Sequence, residues 1–226
     1  MVIMVQSRGN NLPVPVTALK LNKSSQQLAI RRGEAGTADY VVHLNLDQVR
    51  QLASAAGQSR HGERDRLLIQ TLFDGCFRCS EAIGLWPNTL TQDHAGWTAK
   101  VLGKGGKMAL VAISPTLAAQ LQAYAYRNKL SETERLFPIT RSQAFRIVTT
   151  AFEHAGLTRP RREIDRVGAV HILRHSGAIE RLRQTGNPKA VQDHLRYKSA
   201  LMTLRYLKTV SVDESLRVQQ EIDFKW

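Results

Sequence analysis

The sequence predicts an α+β domain that is mostly α-helical and carries one small β-hairpin or sheet. Three observations point there. Between Asn45 and Gly156 most segments carry apolar stripes at helical spacing, bounded by capping residues and glycine stops. One stretch, WTAKVLGKGGKMALVAI, alternates with the period of a strand, breaks at a glycine cluster and resumes. The stretch from His171 to Tyr206 then returns to a helical pattern, rich in basic residues.

Composition narrows the function classes. With 226 residues and 42% apolar residues, the chain can bury one well-formed domain plus an appendage. Its 32 Lys and Arg against 19 Asp and Glu leave a net charge of +13, which favours a polyanionic partner. No apolar run approaches the roughly 20 residues of a spanning helix. The opening MVIMV lacks a basic start and runs into polar SRGNN, so it does not read as a signal peptide. The expectation is a soluble protein of the cytoplasm, associated with the nucleoid and not with a membrane. Cys76 and Cys79 form a C-x-x-C pair, but a zinc site needs four ligands and a second pair is missing. Both are expected to be free thiols, and neither a metal nor a cofactor is expected.

Residues 1–42 read as an N-terminal arm, either a short β-hairpin built from QLAI and YVVHL or a flexible tail. From Asn45 the signals sharpen. Asn45 caps a helix with Gln48 reaching back, and Leu46, Val49, Leu52, Ala53 and Ala56 form one stripe before Gly57. ERDRLLIQTLF follows as a second helix, and a glycine turn feeds a third through CFRCSEAIGL. Arg78 in that turn pairs with Glu81 as an ordinary surface arginine, or serves a site. The hairpin tip carries Lys104 and Lys107 among Gly103, Gly105 and Gly106. A phosphate-cradling P-loop fails here, because Met108 stands where Ser or Thr is needed. The tip is a solvated turn or a basic contact to a nucleic-acid backbone.

Ser114 caps the next helix, with Pro115 at its first position and Leu117, Leu121 and Tyr124 on its buried face. SQAFRIVTTAFEHAG reads as another, burying Ala144, Val148 and Phe152 and stopping at Gly156. The arginine-rich TRPRREIDRVGAV reads as a solvated basic loop or as a phosphate-contacting strip, with Arg159, Arg161, Arg162 and Arg166 as its candidates for backbone contact on double-stranded DNA. His171 and Arg174 then share one helix face, and Tyr206 lies 32 residues beyond Arg174. The tail from about 210 to 226 reads as a final helix folded on its own core or docked on a neighbouring copy.

Taken together, Arg78 before S-E-x-x-G-L, a lysine in G-K-G-x-K, H-x-x-R-H on a helix and a tyrosine at that distance resemble the tyrosine recombinase (phage integrase) family. The resemblance runs from about Leu44 to Lys208. It implies a catalytic domain of that family over residues 43–226, a helical bundle with a small sheet. Residue by residue, it implies that Arg78 and Arg174 are the two catalytic arginines, Lys104 the hairpin lysine, His171 the histidine and Tyr206 the nucleophile. Tyr197 falls where the family usually has histidine or tryptophan, and Arg196 replaces the glycine before it. Tyr197 retains a hydrogen-bond donor, and His194 one turn earlier is a second candidate for that role.

The chemistry explains these residue types. Attack on a phosphodiester builds negative charge on the phosphoryl oxygens, which preorganised guanidiniums can stabilise. Arginine stays charged and can donate two parallel hydrogen bonds to one phosphate. A tyrosine of ordinary pKa, about 10, needs a base or cationic surroundings to act as nucleophile. The resemblance implies site-specific recombination through a 3′-phosphotyrosyl intermediate, independent of metal. It also implies self-association on DNA, from dimer to tetramer, and accessory proteins as further partners. A DNA-binding accessory protein with a weakened site and a type IB-like topoisomerase are the alternatives.

Overall fold

The computed structural model describes residues 40–103, 106–160 and 167–222. Its first helix, α1 (Leu46–Ala56), is held by the expected box: the Asn45 side chain accepts the Gln48 N–H at 2.8 Å. In return the Gln48 side chain accepts the Asn45 N–H at 3.0 Å. Two orphan donors of the first turn are thereby satisfied. α2 (Gly62–Asp74) runs through the centre with Leu67, Leu68, Ile69 and Leu72 fully enclosed. The short α3 (Cys79–Ala82) starts directly after Arg78.

A three-stranded antiparallel sheet follows in the order β1 (Leu90–Asp93), β2 (Gly96–Leu102) and β3 (Met108–Ala112). The alternating run supplies β2 and β3, with Thr98 opposite Ala112 and Leu102 opposite Met108. β1 is a third strand, pairing Leu90 with Ala99. Ala99, Val101 and Val111 turn inward while Leu102 and Leu110 face solvent, the period-two pattern of a half-buried sheet.

α4 (Pro115–Arg127) and α5 (Arg141–His154) start at Ser114 and Thr140, whose side chains accept N–H groups of the first turn. Leu117, Leu121, Ala144, Val148 and Phe152 are buried as their spacing predicts. Gly156, at φ +63°, closes α5 in the left-handed conformation that glycine takes freely.

α6 (His171–Thr185), α7 (Pro188–Leu195) and α8 (Leu201–Gln220) form the second half. Gly177 sets how closely α6 meets α2: a Cβ there would lie 2.0 Å from the Phe73 carbonyl oxygen and 2.8 Å from Cys76 Sγ. Arg181 fixes the same contact by donating to the Asp74 carbonyl at 2.7 Å. α8 packs onto α6 and α7 and runs on past Tyr206 as one helix. The first part of the tail continues α8 and packs on its own domain as far as Asp213, whereas Leu216, Val218 and Ile222 beyond it are exposed. That first part is tied down by Asp213, which accepts from Tyr40 Oη at 2.8 Å and from Arg183. The Val41 N–H donates to Thr209 Oγ1 at 2.9 Å, anchoring the same helix.

Most buried residues form one large apolar cluster. A smaller one gathers Val41, Cys76, Ala178, Ile179, Leu182, Val191 and Leu195 around Tyr206. Residues 1–39 of the expected arm lie outside the described residues, while Val41 and Val42 pack into these clusters. Among the described residues no helix is long and apolar enough to cross a membrane.

Candidate active site

The site is built where the end of α2, the start of α3, the first turns of α6 and the α7–α8 turn converge. Its hub is Glu81, buried at 3% exposure on α3. The carboxylate accepts the backbone N–H of Arg78 at 2.8 Å, which caps α3. It also accepts Arg78 Nη1 at 2.8 Å and Arg196 Nη2 at 2.7 Å, and Arg174 Nη1 stands 3.9 Å away. One carboxylate among three guanidiniums leaves an excess of two positive charges in a largely enclosed place.

Among the described residues Arg174 is the largest fully buried side chain, at 1% exposure. It donates Nη1 to the Cys76 carbonyl and Nη2 to the Leu195 carbonyl, the latter at 2.9 Å. Its guanidinium also lies 5.3 Å from the centre of the Tyr197 ring, within reach of a cation–π attraction. The Cys76 carbonyl is presented by a backbone at φ +48°, the turn that ends α2. Burial pushes the Cys76 thiol up to about 11 despite the positive charges of Arg181 and Arg174. Both cysteines are free.

Tyr206 is fully enclosed. Its hydroxyl lies 2.7 Å from His175 Nδ1 and 3.4 Å from the Tyr197 hydroxyl. Burial, with the Tyr197 hydroxyl beside it, raises the phenol well above its ordinary pKa, and Arg174 opposes that only in part. His175 is driven the other way, to about 3, by burial and then by His171, Arg174 and His43. It is therefore a neutral imidazole at physiological pH, and in the Nε2–H tautomer its Nδ1 accepts the phenolic proton.

His171 opens α6 on the solvent side and meets His175 edge-on, with ring centres 4.7 Å apart. Its residue surface is open, yet protein crowds the imidazole; that crowding, with the charges of Arg174 and Arg78, lowers its pKa to about 4. His194, the second candidate for the Tyr197 role, faces the backbone of Gly75. Burial and the nearby Arg181, Arg196 and Arg174 hold it at about 3.

The fold thus brings Arg78, His171, Arg174, Tyr197 and Tyr206 into one connected set of contacts. Lys107 and Arg159 are exposed. Lys104, Arg161, Arg162 and Arg166 lie outside the described residues. Sequence reading assigned no role to His175, although it follows Arg174 directly and sits one turn from His171. Glu81 entered only as a local partner of Arg78, and Arg196 only as a replaced glycine. Among the described residues no group of three His, Cys, Asp or Glu side chains is placed to hold a metal ion.

Known proteins share this arrangement of elements. The catalytic domain of bacteriophage HP1 integrase superposes with a TM-score of 0.58 at 20% identity, over 80% of this chain and 95% of that one. XerH site-specific recombinase bound to palindromic difH substrate, in a post-cleavage complex, gives 0.64 at 23% identity over 79% and 53%. In sequence, tyrosine recombinase XerC of Pelobacter propionicus is 29% identical over 190 residues, covering 78% of this chain and 58% of its own. Tyrosine recombinase XerD of Mycobacterium leprae is 28% identical over 184 residues, covering 72% and 55%. The chain thus spans just over half the length of the curated relatives it matches. The Phage integrase family model matches residues 43–211, a span that includes Arg78, Arg174, Tyr197 and Tyr206. With that match over most of its length and a fold to suit, the chain belongs to the phage integrase family.

Proposed function

We propose that this chain cleaves and rejoins double-stranded DNA at a defined site through a covalent link between Tyr206 and a 3′ phosphate. The observation that carries the reading is the meeting of two arginines, 96 positions apart in sequence, at one buried carboxylate beside a tyrosine pair. In this reaction Arg78 and Arg174 hold the phosphoryl oxygens and stabilise the charge that builds on them. The Tyr206 oxygen attacks phosphorus, the bond from phosphorus to the 5′ oxygen breaks, and the phenolic proton passes to a neutral imidazole, that of His175 or His171. Lys104 supplies the proton taken up by the departing 5′ hydroxyl. Tyr197 contributes a donor beside the nucleophile. The phosphotyrosyl bond keeps the energy of the broken link, so religation by a 5′ hydroxyl is a reversal of the same step. Two to four copies assemble on DNA, with accessory proteins as further partners, and the work is done at the nucleoid in the cytoplasm. Lys107, Arg159, Arg161, Arg162 and Arg166 serve the phosphate backbone.

A second reading, that of a DNA-binding accessory protein, draws on one observation: the Tyr206 hydroxyl is enclosed and already engaged. One experiment separates the readings. A pool of nicked duplexes with randomised sequence is incubated with wild type and Tyr206→Phe, and denaturation-resistant adducts are recovered and sequenced. Adducts in wild type alone, converging on a short sequence, support recombinase chemistry. Adducts without sequence preference favour a topoisomerase-like activity. Salt-sensitive binding with no adduct favours the accessory protein.

A further inference from the structure

We propose that Arg196 is a third phosphate-binding guanidinium of this site, taking over the donor role expected of the ring one residue later. The inference rests on the reading of the site as one for a DNA phosphate. It begins with the backbone. Arg196 follows α7 at φ +58°, a left-handed seat that favours glycine, and the resemblance expects glycine there. That turn sets the arginine side chain against Glu81, 115 positions away.

The donor count at Glu81 then decides the matter. Oε1 takes Arg78 Nη1, and Oε2 takes both the Arg78 N–H and Arg196 Nη2. The carboxylate is occupied, yet Arg196 Nη1 is buried with no acceptor. Arg174 Nε, on a side chain 99% enclosed, likewise has none. Buried donors normally find partners, and here two are held open in a cluster with excess positive charge. An anion with several oxygens fits that pattern. Its approach lies past the Arg78 side chain, 37% exposed, and the exposed His171.

Tyr197 does not fill the same need. Its ring lies against the Arg174 guanidinium and its hydroxyl faces that of Tyr206. Its hydroxyl is therefore turned to the nucleophile, and Arg196 is left to serve a non-bridging oxygen. An arginine kept only to neutralise Glu81 would alter stability and leave phosphate recognition unchanged.

The test uses the full chain as wild type, Arg196→Gly and Arg196→Lys. Glycine suits the left-handed seat, so the first variant retains the fold, and urea denaturation checks this directly. Binding to a short duplex of random sequence is measured against salt concentration. Loss of one phosphate contact lowers the slope of log K against log salt by about 0.9 in Arg196→Gly, and lysine restores it. On duplexes recovered from adduct selection, Arg196→Gly forms adduct about 10²-fold more slowly at a natural phosphate. The defect shrinks to a few-fold when a neutral methylphosphonate replaces the scissile phosphate, because the charge that Arg196 stabilises is gone. An unchanged salt slope, or an equal defect on both substrates, overturns the proposal. Absence of adducts in wild type itself would overturn the recombinase reading instead, and the salt slope would still decide the phosphate contact.

Discussion

The Tyr206 hydroxyl and His175 Nδ1 lie 2.7 Å apart beside the smaller apolar cluster, so the tyrosine is held by a neutral histidine. Tyr206→Phe removes the hydroxyl and leaves that nitrogen without its partner. Expected is a stability loss of about 1–3 kcal/mol in urea denaturation, together with complete loss of adduct. His175→Ala should reduce adduct yield and open the Tyr206 ring to solvent, seen as increased tyrosine accessibility to chemical modification.

Glu81 serves three arginines, Arg78 beside it and Arg174 and Arg196 from distant parts of the chain. Glu81→Gln leaves those charges without their counterion in an enclosed place. A loss of about 3–5 kcal/mol is expected, the scale for removing one partner of a buried ion pair. Equilibrium urea denaturation measures it, and a loss below about 1 kcal/mol would contradict the central role given to this carboxylate.

Gly177→Ala places a methyl group 2.0 Å from the Phe73 carbonyl oxygen, a backbone atom of α2 that cannot turn aside as a side chain would. α6 must shift, carrying Arg174 and His175 with it. The expected cost is about 3 kcal/mol, at the upper end for overpacking, with adduct formation falling in parallel. Thermal denaturation and adduct yield read the two effects.

Asp213 ties the far part of α8 to Tyr40 and Arg183. Burial alone would raise its carboxyl, but hydrogen bonds from His43 and Tyr40 and the charge of Arg183 hold it below the usual range. Asp213→Asn weakens this tie by about 1.5 kcal/mol, the size of one charge-assisted hydrogen bond. Hydrogen exchange of the amides from 207 to 220 should quicken by up to about tenfold. High salt should narrow the difference.

The histidines predict the response to acid. His171, His175 and His194 sit at about 4, 3 and 3 in the folded chain, below the ordinary value near 6.5. Between those values the unfolded chain binds more protons than the folded one, so stability is complete above about pH 6.5 and falls as pH drops toward 4. Thermal midpoints should hold level from pH 7.5 to about 6.5 and decline from there to pH 4.5, and His175→Gln should flatten the decline.

Local pattern by itself determined most of the helices and the β2–β3 hairpin, though not β1. Asn45 with Gln48, Ser114 with Pro115, and Gly156 after Phe152 mark helix ends through interactions that span only a few residues. The motif around Arg78 and the spacing from Arg174 to Tyr206 likewise stand in the chain as written, which is why the family was legible there. Tertiary structure alone decided that Glu81, the local partner of Arg78, also gathers Arg174 and Arg196, and that Tyr206 meets His175 and not His171. It also decided that Asp213 of α8 meets Tyr40 and Arg183. These contacts depend on how closely α6 approaches α2, on the left-handed turn at Arg196 and on the path of α8 across both. Side chains 30 to 115 positions apart meet through packing geometry, which no short-range pattern encodes.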